Sequence, residues 1–152
     1  MKKILFIVLL FCSATLWGQE FEYREASSRF TDVAAVNPPF STTGLKIIRG
    51  CQIPTDYFQE LLGSVHKDIL SQKELDYLQE HPLAWGVKLT LSMGTVKGVT
   101  FTINKELLEM SSEETVRKLY NAYLGMAVDE SRLNMSAPFN EKNYASVSFR
   151  IK

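Results

Sequence analysis

His66 and His81 are the two histidines of this 152-residue chain, and Cys12 and Cys51 its two cysteines, so imidazole or thiolate chemistry would have to be built around these four side chains. A zinc site needs three or four ligands with at least one tight pair, such as two histidines a helical turn apart or Cys-x-x-Cys. Neither spacing occurs, and no metal or cofactor site is expected. His66-Lys67-Asp68 reads as a solvated patch on a helix surface, and His81 before Pro82 as a helix-end residue reaching the last carbonyls. Cys51, between Gly50 and Gln52, has no histidine or helix start beside it to stabilise a thiolate, and reads as a small buried hydrophobe. No serine sits in Gly-x-Ser-x-Gly, the turn that exposes a hydrolase nucleophile. Glu113-Glu114 opens a helix, where carboxylates offset the helix dipole, and Asp129-Glu130 reads as a solvated loop. Gly94 and Gly98 flank a turn, whereas a phosphate cradle joins a strand to a helix. No catalytic residue is expected. An enzyme or small-ligand carrier would need a site assembled from residues distant in sequence, with His66, His81 and Tyr120 the first candidates.

The residues suited to binding are apolar. Tyr120 and Tyr123 share one helix face and, with Trp85 and Phe139, have the chemistry to line a groove, although their helical spacing favours a place in the core. Val147, Phe149 and Ile151 alternate with Ser146, Ser148 and Arg150 in a closing strand whose edge can pair. Partner-binding candidates are therefore Val147, Phe149, Ile151, Tyr120 and Tyr123.

The elements that must position these residues follow from spacing and capping. Thr55 can cap a helix with Tyr57, Phe58, Leu61, Leu62 and Val65 on one face. Ser71 and Glu74 form a capping box for a second helix, which Pro82 ends. From Gly86 the period switches to two: Val87, Leu89, Leu91 and Met93, a turn at Gly94-Thr95, then Val99, Phe101 and Ile103, with a bulge expected at Lys97-Gly98. Ser111 with Glu114 makes another capping box for a helix carrying Val116, Leu119, Tyr120 and Tyr123, with Gly125 near its end. Gly44 to Arg49 is a short strand closed by Gly50, and 31–36 stops at Asn37-Pro38-Pro39.

The start of the chain has the order of an export signal: Lys2 and Lys3, an apolar run from Ile4 to Phe11, then smaller residues to Gly18. It is shorter than the roughly 20 apolar residues of a membrane span. Cleavage is placed after Gly18, with Ala14 as the alternative. A lipid on Cys12 would anchor the chain to a membrane, but Phe11 stands where lipoprotein signals carry Gly, Ala or Ser, so Cys12 is read as discarded. The domain reading is 1–18 signal peptide, 19–43 N-terminal extension or edge strand, and 44–152 a single α+β domain with a small, mostly antiparallel sheet and helices packed on one face. Of 17 basic and 17 acidic residues, Lys2 and Lys3 leave with the signal, so the remainder is slightly acidic and shows no basic stripe for nucleic acid.

Hairpin Val87–Ile103, helix Ser111–Met126 and closing strand Ala145–Ile151, preceded by a helix that ends at a proline, resemble the C-terminal domain of TonB and its periplasmic relatives. The stretch Leu70–Leu78 with the hairpin is also similar to small exported proteins of unknown function from gut Gram-negative bacteria. The first resemblance implies binding by strand addition to a sheet edge. The chain lacks that family's Pro-rich linker, retained anchor and Trp-Pro element, so energy transduction is not implied. The expectation is a noncatalytic exported module that binds an envelope protein through a sheet edge or helix groove; the alternative is a periplasmic small-ligand carrier or enzyme.

Overall fold

The computed structural model describes residues 19–152; the expected export signal, its cleavage position and Cys12 lie outside them. Six strands form one sheet: β1 (Phe21–Glu25), β2 (Phe30–Ala35), β3 (Lys46–Ile48), β4 (Trp85–Ser92), β5 (Thr95–Asn104) and β6 (Asn143–Arg150). Their spatial order is β1-β2-β5-β4-β6-β3, antiparallel throughout except for the parallel pair β3 and β6. Residues 19–43 thus contribute β1 and β2 to the same sheet as the rest of the chain.

The alternation read from the sequence is the alternation of the sheet's two faces. Val87 and Leu89 on β4 pair with Phe101 and Val99 on β5, and with Phe149 and Val147 on β6, forming the apolar face. Lys88, Thr100 and Ser148 form a row on the opposite, exposed face. Met93 and Gly94 take positive φ values of 51° and 73°, as a two-residue hairpin turn with the right twist requires. The turn therefore falls one residue earlier than Gly94-Thr95, and β5 begins at Thr95. Thr90 pairs with Gly98 and Leu91 with Val96, which leaves Lys97 as the extra residue of the expected bulge.

Among the described residues four α-helices, α1 (Thr55–Leu62), α2 (Gln72–Glu80), α3 (Lys105–Met110) and α4 (Glu113–Tyr123), and a single 3-10 turn at Glu130–Arg132 complete the fold. The α2 capping box is formed: Ser71 N donates to Glu74 Oε2 at 2.7 Å and Glu74 N to Ser71 Oγ at 3.3 Å. The cap of α4 is Ser112, accepting from Thr115 N at 3.1 Å, and Ser111 instead closes the preceding α3. That six-residue helix, capped by Asn104 accepting from Glu106 N, is too short to show a period in the sequence. Helix α1 starts after Pro54 without a side-chain cap, so Thr55 is not its cap. It ends at Leu62, and the chain passes through turns to Leu70. Gly125, with φ 81°, follows the end of α4 as expected.

Helices pack on the apolar face through aromatic edges. Phe58 of α1 meets Phe149 with ring centroids 4.9 Å apart, and Tyr123 of α4 meets Phe149 at 5.8 Å and Phe101 at 6.5 Å. Tyr120 of α4 holds Phe21 of β1 at 5.3 Å. Among the described residues no helix is long and apolar enough to cross a membrane.

Leu89 is fully buried at the centre of this packing. Leu89→Ala is expected to lower the free energy of unfolding by about 3 kcal/mol in urea titration. Deleting Val147–Lys152 removes the strand on which β4 leans and is expected to abolish the cooperative thermal transition; an unchanged midpoint would contradict the strand order.

Candidate functional site: the open half of strand β6

The short length of β3 creates the site. Its three residues pair only with Asn143, Tyr144 and Ala145. At Gly50, with φ 69°, the chain turns away, and Gln52 forms a two-hydrogen-bond bridge with Asn134 instead, both at 3.0 Å. Strand β6 continues along β4 through Ser146–Arg150, and among the described residues no strand lies on its other side.

The direction of its main-chain groups follows from two fixed points. Ile151 N donates to Trp85 O at 3.0 Å, and Lys46 N of β3 donates to Lys142 O at 2.9 Å. Since successive residues of a strand direct their amide and carbonyl to alternate sides, Val147 and Phe149 bond to β4 while Ser148 and Arg150 face away from it. Among the described residues neither of those two main chains has a partner outside the β4 ladder.

Facing this edge is a cleft of about 750 Å³. Its apolar wall is Ile53, Phe58, Val147 and Phe149; Lys67 and Lys152 stand on its rim beside the Arg150 backbone, and among the described residues no Asp or Glu lines it. A second, broad concavity of about 730 Å³ covers the polar face of the sheet, where Thr102 Oγ1 donates to Asp32 Oδ1 at 2.7 Å and Arg150 lies across Gly86.

His66 also lines the cleft, at 7 % exposure, which corrects its reading as a solvated helix-surface residue. Because α1 stops at Leu62, His66 falls in the following turn and is folded inward, where Nε2 donates to Lys152 O at 3.1 Å. With Nε2 as donor to an oxygen, Nδ1 of the neutral ring is bare, and it is buried without a hydrogen-bond partner. Burial lowers the imidazole pKa below 6.5; the bond to Lys152 opposes this and the Lys67 charge adds to it.

Of the expected binding residues, Val147 and Phe149 line the cleft. Ile151, Tyr120 and Tyr123 are buried in the core, and their side chains do not reach it. Trp85 and Phe139 do not join the tyrosines in a groove there. Burial raises the pKa of both tyrosines, so they are neutral phenols, and neither hydroxyl has a hydrogen-bond partner. Cys51 is a free, buried thiol that burial keeps protonated. His81 Nδ1 contacts Tyr77 O at 3.1 Å, the helix-end role expected of it. Glu113 and Glu114 pair with Arg117 and Lys118 four residues on, and Asp129 accepts from Ser131, whose hydroxyl and amide hold its carboxyl below the usual range. Among the described residues no three His, Cys, Asp or Glu side chains are grouped to hold a metal. The far wall, Ile53 with Lys67, is the part that sequence reasoning missed; the only local signal was Gly50, which marks where the chain leaves β6.

No protein-family model matches the chain, and no curated protein matches it in sequence. In fold it is similar to a solved DUF5043 family protein from Bacteroides uniformis ATCC 8492, with a TM-score of 0.54 and 13% identity, over 89% of this chain and 81% of that one. That likeness agrees with the α+β class and carries the fold alone.

Burial of the neutral His66 ring makes stability depend on pH. The unfolded chain takes the proton near pH 6.5, whereas the folded chain takes it only at lower pH. The contribution is full above pH 6.5 and is lost as pH falls through the lowered folded value. The urea midpoint is expected to drop between pH 7.5 and 5, and His66→Gln to flatten that part of the profile; parallel profiles would contradict the buried ring.

Proposed function

We propose that this chain is a noncatalytic, exported module of the bacterial envelope that binds a partner protein by pairing the partner's extended segment with the open half of β6. The observation that carries this reading is the unpaired main chain of Ser148 and Arg150 facing a preformed cleft. Strand addition takes its affinity from such main-chain groups and its specificity from the pockets beside them. The resemblance of the hairpin, helix and closing strand to TonB-like domains implies the same mode. The export setting rests on the charged, apolar and small-residue order of residues 1–18.

The small-ligand or enzyme reading rests on the bare Nδ1 of His66 in the cleft wall. Such a site needs several convergent polar groups, and among the described residues no Asp or Glu side chain lines the cleft to act with the ring. The binding reading is therefore preferred.

In the free 19–152 chain, amide exchange followed by NMR should be fast at Ser148 and Arg150 and slow at Val147 and Phe149. In a crosslinked pull-down from native envelopes, with the tag placed before Gln19, a partner held by the unmodified chain should be lost with Ser148→Pro, which removes an outward amide and fixes φ at that residue, while an unchanged thermal midpoint shows that the β4–β6 pairing is kept. Equal capture by Ser148→Pro, or protected Ser148 and Arg150 amides in the free chain, would refute strand addition.

A further inference from the structure

The cleft beside β6 also carries a chemical preference. Strand alternation places the inward neighbours of β6, Val147 and Phe149, on the apolar face with Phe58, while Ser148 and Arg150 project on the opposite face. Lys152 follows Arg150 past the buried Ile151 and is exposed, and Lys67 stands on the same cleft. Among the described residues, Lys67, Arg150 and Lys152 form no ion pair, and the cleft has no acidic residue to neutralise them. Arg150 is steadied by donation to Leu83 O at 3.4 Å across Gly86.

We infer that the occupant of the open half of β6 is an extended peptide segment in which apolar residues alternate with Asp or Glu. This rests on the strand-addition reading and deepens it. Apolar side chains of the incoming strand lie over Phe58, Val147 and Phe149, and its intervening carboxylates lie on the face of Lys152, where opposite charges on neighbouring strands attract; the Arg150 guanidinium, held over β4, adds only a longer-range positive field. The lane beside Ser146–Arg150 takes about five residues, roughly 15 Å at strand rise. A second copy pairing through the same edge would instead bring two sets of Lys67 and Lys152 together, which like-charge repulsion opposes.

The test uses three nine-residue synthetic peptides in which valine alternates with glutamate, glutamine or lysine, titrated into the mature chain by fluorescence anisotropy. The glutamate peptide is expected to bind at least about fivefold more tightly than the glutamine peptide at low salt. The difference should shrink as salt rises. A Lys67→Glu, Lys152→Glu double variant should remove that advantage. N-methylation of the glutamate peptide's amides along one edge should abolish binding, an arm that leaves the protein's own fold untouched. Equal binding of glutamate and glutamine peptides, with sensitivity to N-methylation intact, would overturn the acidic preference and leave strand addition standing. Binding indifferent to N-methylation, or no binding by any of the three, would overturn strand addition and the acidic preference with it.

Discussion

Strand β4 lies between β5 and β6, and its register sets the whole apolar face. Val87, Leu89 and Leu91 each meet an apolar residue on both neighbours: Phe101, Val99 and Val96 on one side, Phe149, Val147 and Ala145 on the other. A slip of one residue would turn that set toward solvent, because side chains alternate with period two. At roughly 1.5–3 kcal/mol for each large side chain buried, no edge contact could compensate. The positive φ values at Met93 and Gly94 and the extra residue at Lys97 fix where β5 begins and how it bends, so the hairpin defines the register that β6 must join.

Once β6 is fixed by β4, its other side depends on β3 and on the segment after it. The wall opposite the open edge is braced from behind by a polar clamp on α1. Tyr57, buried, accepts from Asp129 N at 2.6 Å, and the Arg132 guanidinium lies 4.1 Å from its ring centroid while pairing with Glu60 at 2.6 Å. The Arg132–Glu60 pair is partly exposed, and such pairs contribute little by themselves. The buried Tyr57 is the anchor, and the clamp keeps α1, with Phe58, at a fixed distance from Phe149. On the proposed strand-addition reading, a wall held this way would spare an incoming strand the cost of ordering its site.

The sequence revealed features decided within a few residues and hid those decided by distant contacts. The alternation from Val87 to Ile103, the bulge at Lys97, the Ser71–Glu74 box and the turn at Gly125 are local, and the structure contains them. The shift from Ser111 to Ser112 as the cap of α4 arises because a six-residue helix spends Ser111 as its own end. His66 was misread for a related reason: spacing extended α1 to Val65, whereas the helix stops at Leu62 and the turn carries the ring inward to Lys152. The closing strand was legible, but its place between β4 and β3 was not, because a parallel pairing of Lys46–Ile48 with Asn143–Ala145 spans most of the chain and leaves no periodic trace. The cleft was hidden for that same reason, since Ile53, Lys67 and Phe149 are brought together only by the sheet order.

The two long free edges of this sheet are built differently, and the difference bears on how an open strand is tolerated. Strand β1 presents Glu22, Arg24 and Glu25 along an exposed edge, with Arg24 on Glu22 at 2.9 Å and Lys105 on Glu25 at 3.2 Å. Charged side chains of both signs on an edge strand discourage pairing with another sheet. The free half of β6 carries Ser148, a small residue that leaves the main chain accessible, and it is protected by position. Residues Cys51–Ile53 and α1 flank it, so a single extended segment fits the lane while the edge of a second sheet meets those walls. Main-chain groups available to a strand yet shielded from a sheet are compatible with both the proposed recognition of an extended partner and resistance to edge-to-edge association. On the proposed strand-addition reading, the charge of the rim would then decide which extended partners gain by entering.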